Sequence, residues 1–329
     1  MIVSRSPYRI SFFGGGTDYE PWFKENGGEF LSLTINYFTY ITLRVKPEFQ
    51  KKEFRILWRL AEEVDSVELI QHPIVRETLK KYGYTEKGLD ISYIGDLPGG
   101  SGMGSSSAFT AALICALYAD MGLPINPYEL SNFSYDIEKN KLNETVGIQD
   151  QIATSFGGFN HVTIDKDASY QVTPVNLSSE NLDNFIDRLV LVYTNKTRRA
   201  TSFAEQKVRN MKNKVKSFHE LQKMVSVANS YLLKNELLDF GNLLNESWLI
   251  KRSLTETISD NDIDNLYNYG IKNGAIGGKL LGAGGGGFIL FMAKEGHKEK
   301  LLNSFKNETV FPFKISSKGT EIVYNEGNL

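Results

Sequence analysis

The sequence predicts a mixed α and β fold, built as one large or two modest domains. Three observations carry this. A chain of 329 residues with 41% apolar content can bury a sizeable core. Its first 46 residues read as strands and turns, while the segment after residue 108 turns Ala/Leu-rich and helical in character. Beyond residue 188, strand-like runs and helical periodicities alternate, with no internal repeat, low-complexity tract or long linker.

Each element has its own signal. Residues 30–45 are rich in β-branched and aromatic side chains with partial alternation, which favours paired strands. Residues 73–82 predict a helix opening on Pro73, and 89–94 a short strand. A helix over 109–121 ends at Gly122 and Pro124. Asn126-Pro127-Tyr128-Glu129 supplies a cap, a proline at the first helical position and a glutamate at the third, starting a helix that runs to about residue 140. Residues 147–154 read as a further helix or helix end, and 159–172 as a hairpin turning at 165–167. Residues 188–194 are a buried-strand candidate. Next, Val208, Met211, Val215, Phe218, Leu221, Val225, Ala228 and Leu232 recur at steps of three or four, predicting one long helix. Helices over 236–256 and 260–273, a strand at 288–292 and a strand region over 310–324 complete the chain. A composition shift near 175–187 sets the expected domains at 1–185 and 186–329.

Composition excludes several functions. A balance of 37 basic against 39 acidic residues gives no global basic field for nucleic acid. A single cysteine, Cys115, rules out an intramolecular disulfide and a Cys-rich zinc site, and reads as a packed small residue. The four histidines are scattered, against a His-based metal site. The N-terminus leads into polar sequence, and the longest apolar stretch, 108–119, is too short to span a bilayer. A cytoplasmic protein without membrane partners is expected, and a homodimer is left open.

The 29 glycines hold the functional signal. Three lie in 14–16, four in 99–104 and seven in 277–287, bunched between ordinary globular segments. Such bunching marks loops that bend sharply or approach a ligand closely. The middle cluster, Pro98-Gly99-Gly100-Ser101-Gly102-Met103-Gly104-Ser105-Ser106-Ser107, lies between a predicted strand and a predicted helix. Glycines there let backbone N–H groups converge, and a helix start adds unpaired donors and partial positive charge. The serines can cap the helix, bind phosphate or ligate Mg²⁺. This is a phosphate site assembled from backbone, and it is not a Walker A loop, since no Lys-Ser/Thr follows the glycines. The third cluster contains Gly282-x-Gly284-x-x-Gly287, which satisfies the dinucleotide-binding expression. That reading fails on context, because the loop runs into a strand and not a helix.

The middle motif resembles the central motif of the GHMP kinases, the superfamily of galactokinase, homoserine kinase, mevalonate kinase and phosphomevalonate kinase. The segment from Ser6 to Tyr19 is similar to the sugar-kinase form of that family's first motif, with Gly15 and Gly16 in place of the Glu-His pair of galactokinase. The segment from Gly277 to Phe288 resembles its third motif. The resemblance implies an α+β, two-domain fold: an N-terminal domain like ribosomal protein S5 domain 2 and a ferredoxin-like C-terminal domain, with the active site between them. It implies ATP and Mg²⁺ as cofactors and assigns roles by matched position. Asp150, in Gly147-Ile148-Gln149-Asp150-Gln151, takes the catalytic aspartate's place, and Arg9 the arginine beside the reacting hydroxyl. Asp18 matches the aspartate that binds sugar hydroxyls, with Thr17, Gly16, Gln149, Gly284 and Gly285 on the substrate side. Glu138 and Ser106 match the metal ligands, Ser105 and Ser107 being rivals of Ser106. Adenine contacts are expected from the 58–72 region.

A basic stretch begins at Lys196. Its lysines beyond residue 206 read as a solvated helix face. Arg198 and Arg199 sit at a strand–helix turn, where an arginine fork suits an anionic ligand, and Lys251-Arg252 is a second candidate pair. Together the motifs are most similar to the heptose-kinase branch. This implies ATP-dependent phosphorylation of the anomeric hydroxyl of D-glycero-D-manno-heptose 7-phosphate to the 1,7-bisphosphate, for nucleotide-activated heptose synthesis, with Arg198 on the substrate phosphate. A fucokinase-like or other monosaccharide kinase, and a non-catalytic sugar and nucleotide sensor on the same scaffold, are the alternatives.

Overall fold

One long strand organises the N-terminal half. In the computed structural model, which describes residues 1–197, 201–255 and 257–328, β1 (Ile2–Phe13) pairs antiparallel with β2 (Gly28–Val45). The helix α1 (Glu20–Asn26) fills the connection. Residues 30–45 are therefore one strand and not a pair. Asn36 does not turn the run back, so it continues for 18 residues and serves two partners on its other side. Its second half pairs with β5 (Leu89–Gly95), and its first half with β6 (Phe159–Ile164), which continues into β7 (Tyr170–Pro174). The hairpin β3 (Phe54–Leu57) and β4 (Ala61–Val64) extends this sheet beyond β5. Four helices join these strands: α2 (Pro73–Lys81), α3 (Ser105–Asp120), α4 (Pro127–Asp136) and α5 (Gln149–Phe156).

The helix α3 is buried on every side from Ser107 to Leu117, matching its lack of a polar face. Asn126 and Glu129 form the reciprocal capping box of α4, each side chain taking the other's backbone N–H. At its C-terminal end, α4 widens into a turn of π-helix over Ile137–Lys141, a distortion often found at functional sites.

The C-terminal half starts after α6 (Ser179–Asp187) with β8 (Leu189–Tyr193). The expected long helix is broken. α7 (Thr201–Asn210) stops, a 3₁₀ turn covers Met211–Asn213, and α8 (Val215–Leu233) restarts. Asparagine is a poor helix former, and the Asn210 amide is tied to the Leu254 carbonyl at 3.0 Å. Next come α9 (Leu237–Ser253), α10 (Asn261–Lys272), β9 (Ala275–Leu280), β10 (Phe288–Ala293), α11 (Lys298–Ser304), β11 (Thr309–Phe311) and β12 (Glu321–Asn325). A second antiparallel sheet has the order β11-β8-β10-β9, so the third glycine cluster begins inside a strand. β12 returns to the first sheet and pairs with β1.

The two sheets share one core. Phe12 of β1 meets Phe159, Phe185 and Phe240 with ring centroids 5.5–5.7 Å apart. Tyr8, Leu33, Leu191, Val225 and Phe288 belong to the same buried cluster. This continuity fixes the halves against each other and leaves a cleft where their glycine loops meet.

Candidate active site

The cleft is an open one of about 180 Å³, lined by residues of all three glycine clusters. Its centre is an ion pair. Between Pro7 and Arg9 the β1–β2 register shifts, which re-aims Arg9 toward the cleft. The Arg9 backbone N–H donates to the Met103 carbonyl at 3.0 Å. Its side chain donates to the Gly102 carbonyl at 2.6 Å and, through Nε and Nη2, to both Asp150 carboxylate oxygens at 2.7 Å. One guanidinium thus fastens the middle glycine loop to the acidic group of α5. Asp150 is the second residue of its helix, where N–H groups and the helix dipole favour a negative charge.

Asp18 lies beyond the first glycine turn and is buried. It accepts from the Gly16 N–H at 2.7 Å and from the Gln149 N–H at 3.4 Å. Burial raises its carboxyl above the usual range, opposed by the Gly16 N–H and by Lys207. The Gln149 amide is held on Ser11 Oγ at 2.6 Å. Arg9, Asp18, Asp150, Gly16 and Gln149 all line the cleft together with Gly100, Gly102, Gly104 and Ser105 to Ser107.

The glycine loop ends on Gly104 in the left-handed conformation, and α3 starts directly after it. Its opening turn carries no side-chain cap, so those N–H groups are available to an anion. Gly102 and Gly282 meet back to back. A Cβ on Gly282 would lie 2.5 Å from the Gly102 Cα, and one on Gly102 would lie 2.7 Å from the Leu281 carbonyl oxygen. Only glycine at both positions lets the second and third clusters touch.

Glu138, on the π turn, is 1% exposed and accepts from Ser107 Oγ at 3.1 Å, Thr110 Oγ1 at 2.8 Å and Gln151 Nε2 at 2.8 Å. Burial pushes its carboxyl up to about 7. Every donor to it is neutral, and Gln151 Oε1 beside it is buried with no hydrogen-bond partner. A charge and an oxygen, both short of a cation, fit Mg²⁺, which takes hard oxygen ligands. No group of three His, Cys, Asp or Glu among the described residues could hold a metal. The fit is to an ion held by one carboxylate plus substrate phosphates.

Several expected contacts lie elsewhere. The Thr17 hydroxyl is buried and donates to the Gly14 and Glu29 carbonyls at 2.9 and 2.8 Å, locking the turn, and Thr17 is not part of the cleft lining. Gly284 packs on Ile258, and the Gly285 N–H donates to the Ile258 carbonyl at 2.6 Å. From the third cluster, Lys279, Gly282 and Ala283 reach the cleft. Met103 and Ser101 are buried beneath the glycine loop, Ser101 against Gly287. Pro98 and Gly99 lie on its exposed outer side. Arg198 and Arg199 lie outside the described residues. The Lys251-Arg252 pair splits: Lys251 donates to the Leu280 and Gly282 carbonyls at 2.7 Å, whereas Arg252 pairs with Asp264 at the surface.

The sequence reading missed the cleft's lysines. Lys207, expected on a solvated helix face, is 4% exposed and lines the cleft. Lys279 is equally buried and donates to the Phe12 carbonyl at 2.6 Å. Burial, reinforced by Lys207 and Arg9, pushes its ammonium down to about 7. One signal was available: Lys279 sits inside the third glycine motif, a setting unlike a surface lysine.

Comparison with known proteins identifies the family. The GHMP kinases N terminal domain model matches residues 68–158, and the GHMP kinases C terminal model matches 228–310. The chain is 30% identical to D-glycero-alpha-D-manno-heptose 7-phosphate kinase of Campylobacter jejuni, covering 97% of this chain and 98% of that protein. It is 25% identical to a galactokinase of Thermotoga neapolitana over 98% of both. A D-glycero-D-manno-heptose 1-phosphate kinase structure from Bacteroides thetaiotaomicron superposes with TM-score 0.81 at 24% identity, covering 99% of this chain and all of that one. A sugar kinase structure from Campylobacter jejuni gives 0.74 at 27%, covering 98% and 97%. No described helix is long and apolar enough to cross a membrane. Family models over both halves, a full-length relative and the two-sheet fold give one conclusion: the chain belongs to the GHMP kinases, ATP-dependent phosphotransferases.

Proposed function

We propose that this kinase transfers the γ-phosphoryl group of ATP to the anomeric hydroxyl of D-glycero-D-manno-heptose 7-phosphate. The likeness to the Campylobacter jejuni heptose 7-phosphate kinase over nearly the whole of both chains supports the acceptor. The observation that carries the chemistry is the paired Arg9 and Asp150 at the mouth of the glycine loop.

Phosphoryl transfer depends on positioning and charge stabilisation. The N–H groups opening α3 and the glycine loop hold phosphate oxygens. His72 stacks on Phe109 and meets Trp58 edge-on, each pair with centroids 4.6 Å apart, and this aromatic group near the start of α3 receives the adenine. Burial pushes the His72 imidazole down to about 4, so it stays neutral there. Asp18 and Gln149 orient the sugar. Asp150 accepts the proton of the attacking hydroxyl, while Arg9 holds both its carboxylate oxygens in place. Glu138 with Ser106 or Ser107 would hold Mg²⁺, which when bound neutralises phosphate charge.

An ADP-release screen with ATP, Mg²⁺ and heptose 7-phosphate, mannose, fucose and galactose tests the reading. Turnover is expected with the heptose phosphate at the highest kcat/KM. Faster turnover of fucose or galactose would move the chain to another branch, and tight sugar binding with no ADP release would make it a sensor.

A further inference from the structure

We propose that the Lys207 ammonium is the receptor for the phosphate that the acceptor sugar already carries, making Lys207 the residue that selects a phosphorylated acceptor. This rests on the reading of the acceptor as a sugar phosphate.

The lysine is built into the cleft in a way a structural lysine is not. It is buried and lines the cleft, yet it makes no hydrogen bond or ion pair with any described residue. The groups facing it are Asp18, Asp150 and Arg9, with the Tyr19 ring centroid 5.6 Å from Nζ. Both nearby carboxylates are engaged elsewhere, Asp150 by the Arg9 fork and Asp18 by two backbone N–H groups. A buried ammonium with no hydrogen-bonded partner is costly. Burial lowers its proton affinity, and the fields of Asp18 and Asp150 oppose that. Lys279 and Lys251 differ, since each donates to carbonyl groups. Among the described residues, no hydrogen-bond acceptor takes the three donor hydrogens of Lys207, which suit a ligand's phosphate oxygens.

Its position selects the acceptor over the nucleotide. The stem lies over Gly16, where an added Cβ would be 3.5 Å from Lys207 Cδ and 2.9 Å from the Phe218 ring. Gly16 has φ +121°, closed to ordinary side chains. Gly15 and Gly16 stand where the galactokinase motif carries Glu and His. A glutamate there would add a competing carboxylate on this side, and glycine adds none. An ammonium in such a recess gives a charge-assisted contact to phosphate oxygens.

The test compares wild type with Lys207→Met and Lys207→Arg, using heptose 7-phosphate against mannose as acceptors, with melting curves as a fold control. In Lys207→Met the KM for heptose 7-phosphate should rise roughly 50-fold, as for one lost buried charge contact. The KM for ATP should change by less than about threefold, and the kcat/KM for mannose should fall at least about fivefold less than that for heptose 7-phosphate. Lys207→Arg should recover part of the preference. Equal losses on both acceptors, or a matching rise in the ATP KM, would overturn the proposal while leaving the sugar-kinase reading intact. Should wild type turn over no heptose phosphate, that reading fails. Calorimetry with mannose 6-phosphate then decides for Lys207: binding that needs both the phosphate and Lys207 sustains the proposal, and its absence ends it. If Lys207→Met melts early, Lys207→Gln replaces it in the same comparison.

Discussion

Replacing Asp150 with asparagine separates catalysis from architecture. The variant keeps the side-chain shape and the place in the first turn of α5 but removes the charge that both Arg9 nitrogens contact at 2.7 Å. Breaking a fully buried pair costs about 3–5 kcal/mol. Here the Asp150 side chain is 29% exposed against 5% for Arg9, and Arg9 keeps its bond to the Gly102 carbonyl. Solvent therefore reduces the penalty to about 1–2 kcal/mol. That is a melting shift of a few degrees for a chain of this size, and the protein stays folded at assay temperature. Loss of the proton acceptor costs more, roughly 10³-fold in kcat, equivalent to about 4 kcal/mol of barrier. ADP release measured against both substrates should show that fall with the ATP KM changed by less than about threefold. A kcat within tenfold of wild type, with the same small melting shift, would refute the role of Asp150 as the proton acceptor.

Three further outcomes are expected. Lys279→Met removes a buried amine whose proton affinity lies near pH 7 in the folded chain against 10.5 for a free lysine. Between those values the unfolded chain holds the extra proton, so wild-type stability should rise with pH from about 7 to 10.5 relative to the variant. Parallel denaturation curves across that window would exclude such a lysine. Gly282→Ala puts a Cβ into the Gly102 backbone at φ +68°. It should lower kcat/KM for ATP at least about tenfold by displacing the glycine loop, and unchanged nucleotide kinetics would count against that loop as the phosphate cradle. Asn126→Ala deletes half of an exposed capping box. Urea unfolding should record a loss of about 1 kcal/mol with unaltered kinetics.

Much of this could be read from local pattern. The capping box at Asn126, the proline-started α2 and the hairpin over β6 and β7 each depend on neighbours in sequence, and each occurs where the residues predict it. The glycine clusters were equally legible, because a backbone that must turn sharply or touch another backbone leaves no choice of side chain. Residues 30–45 were misread because strand propensity counts length and not partners. Whether such a run folds back or continues depends on β5 and β6, which lie 44 or more residues further on.

Sequence alone determined the family motifs, the strand–glycine–helix junction, and the acidic residues at matched positions. Tertiary structure decided the cleft's electrostatics. The apolar face of residues 208–232 was visible, but not its break at Met211–Asn213. Nor was it visible that the lysine just before this face turns into the cleft beside Asp18 and Asp150. A lysine has an apolar stem and a charged tip, and it suits either solvent or a recess. Periodicity records which face of a helix is apolar, whereas the groups covering the polar remainder come from other segments, here Asp18 and Asp150. The same holds for Thr17 and Gly284, whose motif positions are local but whose partners, Glu29 and Ile258, come from the fold.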